Sequence, residues 1–120
     1  MAEIESQNPD VLLLTSGQGL WTVRESVMKF AVKHRLPTVV DFPWPGIEPP
    51  PLFVYAPELV ALWRAALSYV VRILNDGERP GDLPIQQPAK FELAISLRAA
   101  KAIGMTLPRS LLLRADKVIE

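Results

Sequence analysis

The sequence predicts an α/β fold in which short apolar strands lie parallel and alternate with helices, and three observations predict it. Unbroken apolar runs of strand length stand at Val11 to Leu14 and at Thr38 to Val40, as expected for strands of a parallel sheet. Between them apolar residues recur with a helical period at Leu20, Val23, Val27, Phe30 and Ala31, with Arg24, Glu25, Lys29 and Lys33 elsewhere on the wheel. Glycine and proline punctuate the junctions. Strand, helix and strand make a β-α-β unit, whose crossover is right-handed in nearly all cases.

The first strand is entered through Asn8-Pro9-Asp10, and its continuous apolar character predicts burial on both faces. The helix after Ser16-Gly17-Gln18-Gly19 ends near His34-Arg35, where cations complement the negative end of the helix dipole. Prolines 43, 45, 49, 50 and 51 then fill a loop; they fix φ and lack ladder donors, so neither strand nor helix belongs there. Strand character returns at Leu52 to Tyr55. Pro57 suits the first position of a helix and Glu58 its first turn. That helix carries a wide apolar face at 59, 62, 63, 66, 67, 70, 73 and 74, and Gly77 stops it. A turn-rich segment, 78–88, follows. Phe91, Leu93, Ile95 and Leu97 alternate with Glu92, Ala94 and Ser96, the period of a half-buried strand. Ser96 is placed to cap a short helix, Leu97 to Ile103, stopped by Gly104, and Pro108 to begin a last helix through Arg114 to Val118. The expected organisation is an α/β core over 1–77, a hinge-like linker over 78–90, and a C-terminal strand with short helices over 91–120.

Composition narrows the function. At 120 residues the chain fits one domain. Thirteen basic residues balance thirteen acidic ones, which argues against a nucleic-acid or lipid-surface partner. The absence of cysteine removes disulfides, thiolate nucleophiles and cysteine metal sites. The stretch MAEIESQNPD lacks the apolar core of a secretory signal, so the chain as written is expected in the cytoplasm. The longest apolar candidate, around Leu59 to Leu74, is interrupted by Arg64, Ser68 and Arg72 and falls short of the roughly 18 residues that span a bilayer.

In an open parallel sheet ligands bind beyond the carboxyl ends of the strands, where loops and helix amino termini gather. Order alone therefore brings Thr15-Ser16-Gly17-Gln18, Asp41-Phe42-Pro43-Trp44 and Tyr55-Ala56 to one edge. The candidate ligand-binding residues are Ser16, Gly17, Gln18, Asp41, Trp44 and Tyr55. Each has a plainer reading. Gly17-Gln18-Gly19 begins like a dinucleotide fingerprint, but Trp21 and Thr22 follow where its third glycine should fall, leaving a strand-to-helix turn. Asp41 suits a ligand amine or guanidinium, and equally a neighbouring backbone. Trp44, among prolines, suits a ligand platform or loop packing. Trp21 and Trp63 read as core. The one histidine, His34, reads as a helix-end cation, not a catalytic or metal residue. No nucleophile, base and orienter stand together, so no enzyme, metal or cofactor is predicted.

The runs Lys33-His34-Arg35-Leu36-Pro37, Phe53-Val54-Tyr55-Ala56-Pro57, Asp82-Leu83-Pro84-Ile85-Gln86-Gln87-Pro88-Ala89-Lys90-Phe91-Glu92-Leu93 and Lys101-Ala102-Ile103-Gly104-Met105-Thr106-Leu107-Pro108 resemble, in order and spacing, the C-terminal part of the tryptophan- and tyrosine-type ABC transporter substrate-binding proteins. The resemblance covers roughly residues 9 to 120. It implies the C-terminal portion of a type I periplasmic binding protein, a flavodoxin-like lobe that closes on a small-molecule solute, such as an amino acid or another carboxylate. It also implies a missing N-terminal lobe, an ABC permease and an ATPase as partners, and a periplasmic location. By that likeness Ser16, Gln18 and Tyr55 face the cleft and Asp41 to Trp44 stand near its mouth. The chain departs from the family where Thr15-Ser16-Gly17 replaces an acidic or amide residue with proline, and where Val54-Tyr55-Ala56 replaces the usual SYG. The alternative expectation is a truncated remnant that self-associates as a homodimer through exposed sheet edges or swapped elements.

Overall fold

The computed structural model describes residues 2–43 and 46–120. Five strands form one sheet in the order β1-β2-β3-β4-β5, with β1 at Leu12–Leu14, β2 at Thr38–Val40, β3 at Phe53–Pro57, β4 at Phe91–Ser96 and β5 at Lys117–Ile119. The helices are α1 (Ala2–Ser6), α2 (Gln18–Lys33), α3 (Leu59–Leu74), α4 (Leu97–Ile103) and α5 (Arg109–Leu112), with a 3-10 turn at Pro80–Asp82. β1 pairs parallel with β2, β2 with β3, and β4 with β5. The β3–β4 pair is antiparallel, because the Ser96 N–H donates to the Leu52 carbonyl and the Glu58 N–H to the Lys90 carbonyl. The fold is thus α/β with a mostly parallel sheet, as the strand runs predict.

Two compact units divide the chain: Met1–Ala56 with Glu92–Glu120, and Pro57–Phe91. In the first, alternation along the strands turns Leu12, Leu14, Val40 and Val54 to one face, where they pack with Val27 and Met28 of α2 and with Ile47. A second cluster joins Leu52 to Ala99, Ala100 and Ile103 of α4, with Val32 and Leu107 at its margin. Thr38 is buried and stays satisfied, since its Oγ1 accepts the Leu52 N–H at 2.9 Å.

The opposite face of β1 is open: Leu13 is 67% exposed, so the strand expected to be buried on both faces is covered on one. Trp21 is also exposed where core was expected. The buried stripe of α2 runs through Val27, Met28 and Ala31, rotated away from Trp21, and that indole instead lies under the Arg24 guanidinium at 4.3 Å.

Two helices end in the same way with different residues. At the end of α2, Leu36 N–H bonds to Ala31 O and Arg35 N–H to Val32 O, with Arg35 at φ 54°. At the end of α4, Met105 N–H bonds to Ala100 O and Gly104 N–H to Lys101 O, with Gly104 at φ 72°. Both are Schellman closures, which need a left-handed residue. Ser96 caps α4 as expected, its Oγ accepting the Ala99 N–H at 3.1 Å. His34 lies at the carboxyl end of α2, stacked on Phe30, with Nε2 3.0 Å from Oε1 of Glu5 at ion-pair distance but off the hydrogen-bond direction.

Two expectations about element boundaries fail. Pro57 closes β3 and Glu58 precedes the helix, which starts at Leu59; the antiparallel bond from Glu58 N–H to Lys90 O keeps the chain extended one residue longer than the proline signal indicates. The expected helix from Pro108 stops at Leu112, and Lys117–Ile119 forms β5. There β4 offers a free edge, and Asp116 fixes the register by donating its N–H to Leu93 O and accepting the Leu93 N–H on its carboxylate.

In the Pro57–Phe91 unit, the segment after α3 straps one side of the helix. Tyr69 Oη donates to the Pro84 carbonyl, and the Arg72 guanidinium donates two bonds, 2.9 and 2.6 Å, to the Glu78 carboxylate. That bidentate hydrogen bond holds the Glu78 carboxyl below its usual range.

The paired helix ends give a direct stability test. Arg35→Gly removes the left-handed strain and raises unfolding free energy by about 1 kcal/mol, whereas Gly104→Ala lowers it by about the same amount. Urea denaturation of both variants checks the opposite signs.

Candidate functional site

Parallel register places the candidate residues. Leu14 aligns with Val40, and Val40 with Val54. One residue further along, Thr15, Asp41 and Tyr55 therefore stand in one row across three neighbouring strands. Ser16 and Gly17 continue from β1 into α2, with Gly17 extended at the amino end of that helix. Gln18 is the first residue of α2. The chain thus delivers a hydroxyl, a carboxylate, a phenol and the positive end of a helix dipole to one sheet edge.

Asp41 ties two of these loops together. One of its carboxylate oxygens accepts the Ser16 N–H at 2.9 Å and the other accepts the Ser16 hydroxyl at 2.7 Å. The Asp41 N–H reaches the Leu14 carbonyl at 3.4 Å, continuing the ladder past the strand end. Asp41 thus has a neighbouring backbone partner in the Ser16 N–H. Each carboxylate oxygen has a second lone pair, and Ser16 is exposed with Asp41 half-buried, so the pair keeps acceptor capacity on the solvent side.

Tyr55 lies within β3, not after it, because that strand continues to Pro57. Its side chain is 55% exposed, on the same side of the strand as Phe53 by alternation. Trp44 lies outside the described residues, and Gln18 is placed by its backbone alone. What sequence reasoning missed is the Ser16–Asp41 pair itself; a strand-end Asp opposite a Ser-Gly helix entry is the signal that points to it.

A serine bonded to an aspartate invites comparison with a nucleophilic site, and geometry separates them. Ser16 precedes α2, and His34 follows it. Sixteen helical residues set these ends about 24 Å apart at about 1.5 Å per residue. The one histidine of the sequence is therefore remote from the Ser16 hydroxyl, and Asp41 takes that hydroxyl as a hydrogen-bond donor. Among the described residues no group of three His, Cys, Asp or Glu side chains is arranged to hold a metal ion, and no helix is long and apolar enough to cross a membrane.

Removing the carboxylate should loosen the β1–α2 turn without unfolding the sheet. Asp41→Ala is expected to cost about 1 kcal/mol, given its exposure to solvent, and to speed amide hydrogen exchange at Ser16. An unchanged Ser16 exchange rate would contradict this role.

No protein-family model and no curated protein matches the chain. Solved structures do. A conserved domain protein from Vibrio cholerae O1 biovar eltor superposes with a TM-score of 0.83 at 22% identity, over 97% of this chain and 38% of that one. An ABC domain in complex with L-Trp from Streptococcus pneumonia gives 0.80 at 20% identity, over 97% and 39%. The ligand-free, open form of a substrate-binding protein with adhesive properties from Clostridium difficile gives 0.67 at 22% identity, over 98% and 39%. The chain spans about two-fifths of the length of these solved proteins. The likeness is one of fold: an α/β arrangement with a mostly parallel five-stranded sheet and flanking helices.

Proposed function

We propose that this chain is a solute-binding module of an ABC-type transport system, taking a small amino acid or related carboxylate at the edge formed by Ser16, Gly17, Gln18, Asp41, Trp44 and Tyr55. The observation that carries the proposal is the alignment of Thr15, Asp41 and Tyr55 at the carboxyl ends of parallel β1 and β2 and along β3. An amino acid needs an acceptor for its ammonium, donors for its carboxylate and an aromatic or apolar wall for its side chain. Asp41 supplies the first, the amino end of α2 the second, and Tyr55 the third. The fold match with a protein solved in complex with L-Trp supports this class of ligand.

On this reading Ser16 is a positioning residue. Its two bonds to Asp41 hold the carboxylate oriented before a ligand arrives, which lowers the ordering cost of binding. A second lobe would close over the ligand, exclude water and present a closed form to a permease and its ATPase on the periplasmic side. The role is binding, not catalysis, which the distance between His34 and the Ser16–Asp41 pair supports.

A second reading, a self-associating remnant that binds no solute, is favoured by one observation, the open face of β1 at Leu13. Isothermal titration calorimetry with a panel of L-amino acids and aromatic acids separates the two. Saturable heat with at least one member, weakened tenfold or more in Asp41→Ala, is the expected result. A flat response across the panel from a cooperatively folded sample contradicts solute binding.

A further inference from the structure

Two hydroxyls stand next to each other where β1 gives way to α2, and they are used differently. The Ser16 hydroxyl donates to Asp41 Oδ1 at 2.7 Å, and the Ser16 N–H to Asp41 Oδ2 at 2.9 Å. Thr15 is exposed, and its hydroxyl makes no hydrogen bond among the described residues. It nevertheless holds the first place in the row that runs through Asp41 to Tyr55, since Leu14 pairs with Val40 and Val40 with Val54.

The bonds to Asp41 also fix Thr15. The N–H that Asp41 Oδ2 accepts belongs to the planar peptide joining Thr15 to Ser16, so the carboxylate holds Thr15 from its carboxyl side. On its amino side the Leu14 carbonyl accepts the Asp41 N–H at 3.4 Å. Thr15 is thus bracketed by two contacts to one residue of the neighbouring strand. Its β-branched side chain is stiff about χ1, which limits the directions its hydroxyl can take. A donor ordered before a ligand arrives loses little entropy on binding.

We propose that Thr15 is a further ligand-recognition residue of this edge, its hydroxyl donating to the carboxylate of a ligand whose ammonium rests on Asp41. The proposal deepens the solute-binding reading and rests on it. Ser16 cannot take the same part, because a hydroxyl has one proton to donate and both Ser16 donors are directed at Asp41. Thr15 and Asp41 stand on adjacent strands, about 4.8 Å apart. The ammonium and carboxylate of an α-amino acid hang from a single carbon, a spacing that neighbouring strand positions match. Tyr55 is one strand further along, so the ligand lies along the row with its side chain toward the phenol. The reverse pose would set the ligand carboxylate against that of Asp41, a like-charge contact.

The test is isothermal titration calorimetry on the full chain with L-tryptophan, L-phenylalanine and L-leucine, each beside its decarboxylated amine: tryptamine, phenethylamine and isoamylamine. Thr15→Val removes the hydroxyl and keeps the branched shape, whereas Thr15→Ser keeps the hydroxyl. Thr15 is exposed, so neither change touches the sheet core. For an amino acid that binds the wild-type chain, Thr15→Val is expected to weaken binding about tenfold, the scale of a hydrogen bond to a charged group. Thr15→Ser is expected to retain most of the affinity, and the preference for the amino acid over its amine to shrink in Thr15→Val. Unchanged affinity in Thr15→Val, with binding still weakened by Asp41→Ala, overturns this inference alone. So does an equal loss in Thr15→Val and Thr15→Ser, or a loss of the same factor for amino acid and amine, since either assigns Thr15 to packing. A wild-type chain that binds none of the three amino acids overturns the solute-binding reading and this inference together.

Discussion

Parallel pairing of β1 with β2 and of β2 with β3 is the constraint on which the remaining structure depends. Once Leu12–Leu14 lies beside Thr38–Val40 in the same direction, the connection between them must recross the sheet. The helical period from Leu20 to Ala31 supplies a crossover of the right length, and its Val27 and Met28 cover Leu14 and Val40. The same direction of travel brings the ends of β1 and β2 to one edge, level with Tyr55. A slip of one residue would turn Leu14 and Val40 to the open face and bring Leu13 into the core. Burial of Leu14 and Val40 therefore holds the edge residues in their row.

The Ser16–Asp41 bonds convert that backbone arrangement into a defined chemical surface. Without them the β1–α2 turn would be an exposed Thr-Ser-Gly segment with little to order it. With them, one carboxylate is oriented by two donors, beside the amino end of a sixteen-residue helix. An ordered acceptor next to a positive dipole end matches the two charged groups of an amino acid.

Much of the fold was legible because local signals and tertiary demands agree. β2 falls on the run Thr38 to Val40, the proline loop carries no strand or helix among its described residues, and Ser96 and Gly104 bound α4 as capping chemistry requires. The misreadings occur where pairing or solvent exposure overrides a local rule. Pro57 has a helix-start signature, yet the chain there is held extended against β4. Lys117–Ile119 follows helical residues, yet the free edge of β4 captures it. Trp21 and Trp63 are apolar residues on helices with more apolar positions than one face can bury. At the site, the convergence of Ser16 and Asp41 followed from strand order, while their direct hydrogen bonding depended on register and side-chain reach, which spacing in sequence does not encode.

The two units divide the chemistry. The sheet unit carries the proposed ligand edge, and the Pro57–Phe91 unit presents an apolar helix that its own strap leaves half covered. The central claim is that the row formed by Ser16, Asp41 and Tyr55 is where a ligand sits. Amide NMR titration with the amino-acid panel tests it most directly. The account predicts ligand-dependent shifts concentrated at Ser16, Gly17, Asp41 and Tyr55, with α3 and the 86–90 segment unmoved. Saturable shifts confined to residues 57–91, with the Ser16–Asp41 amides unchanged, would contradict it.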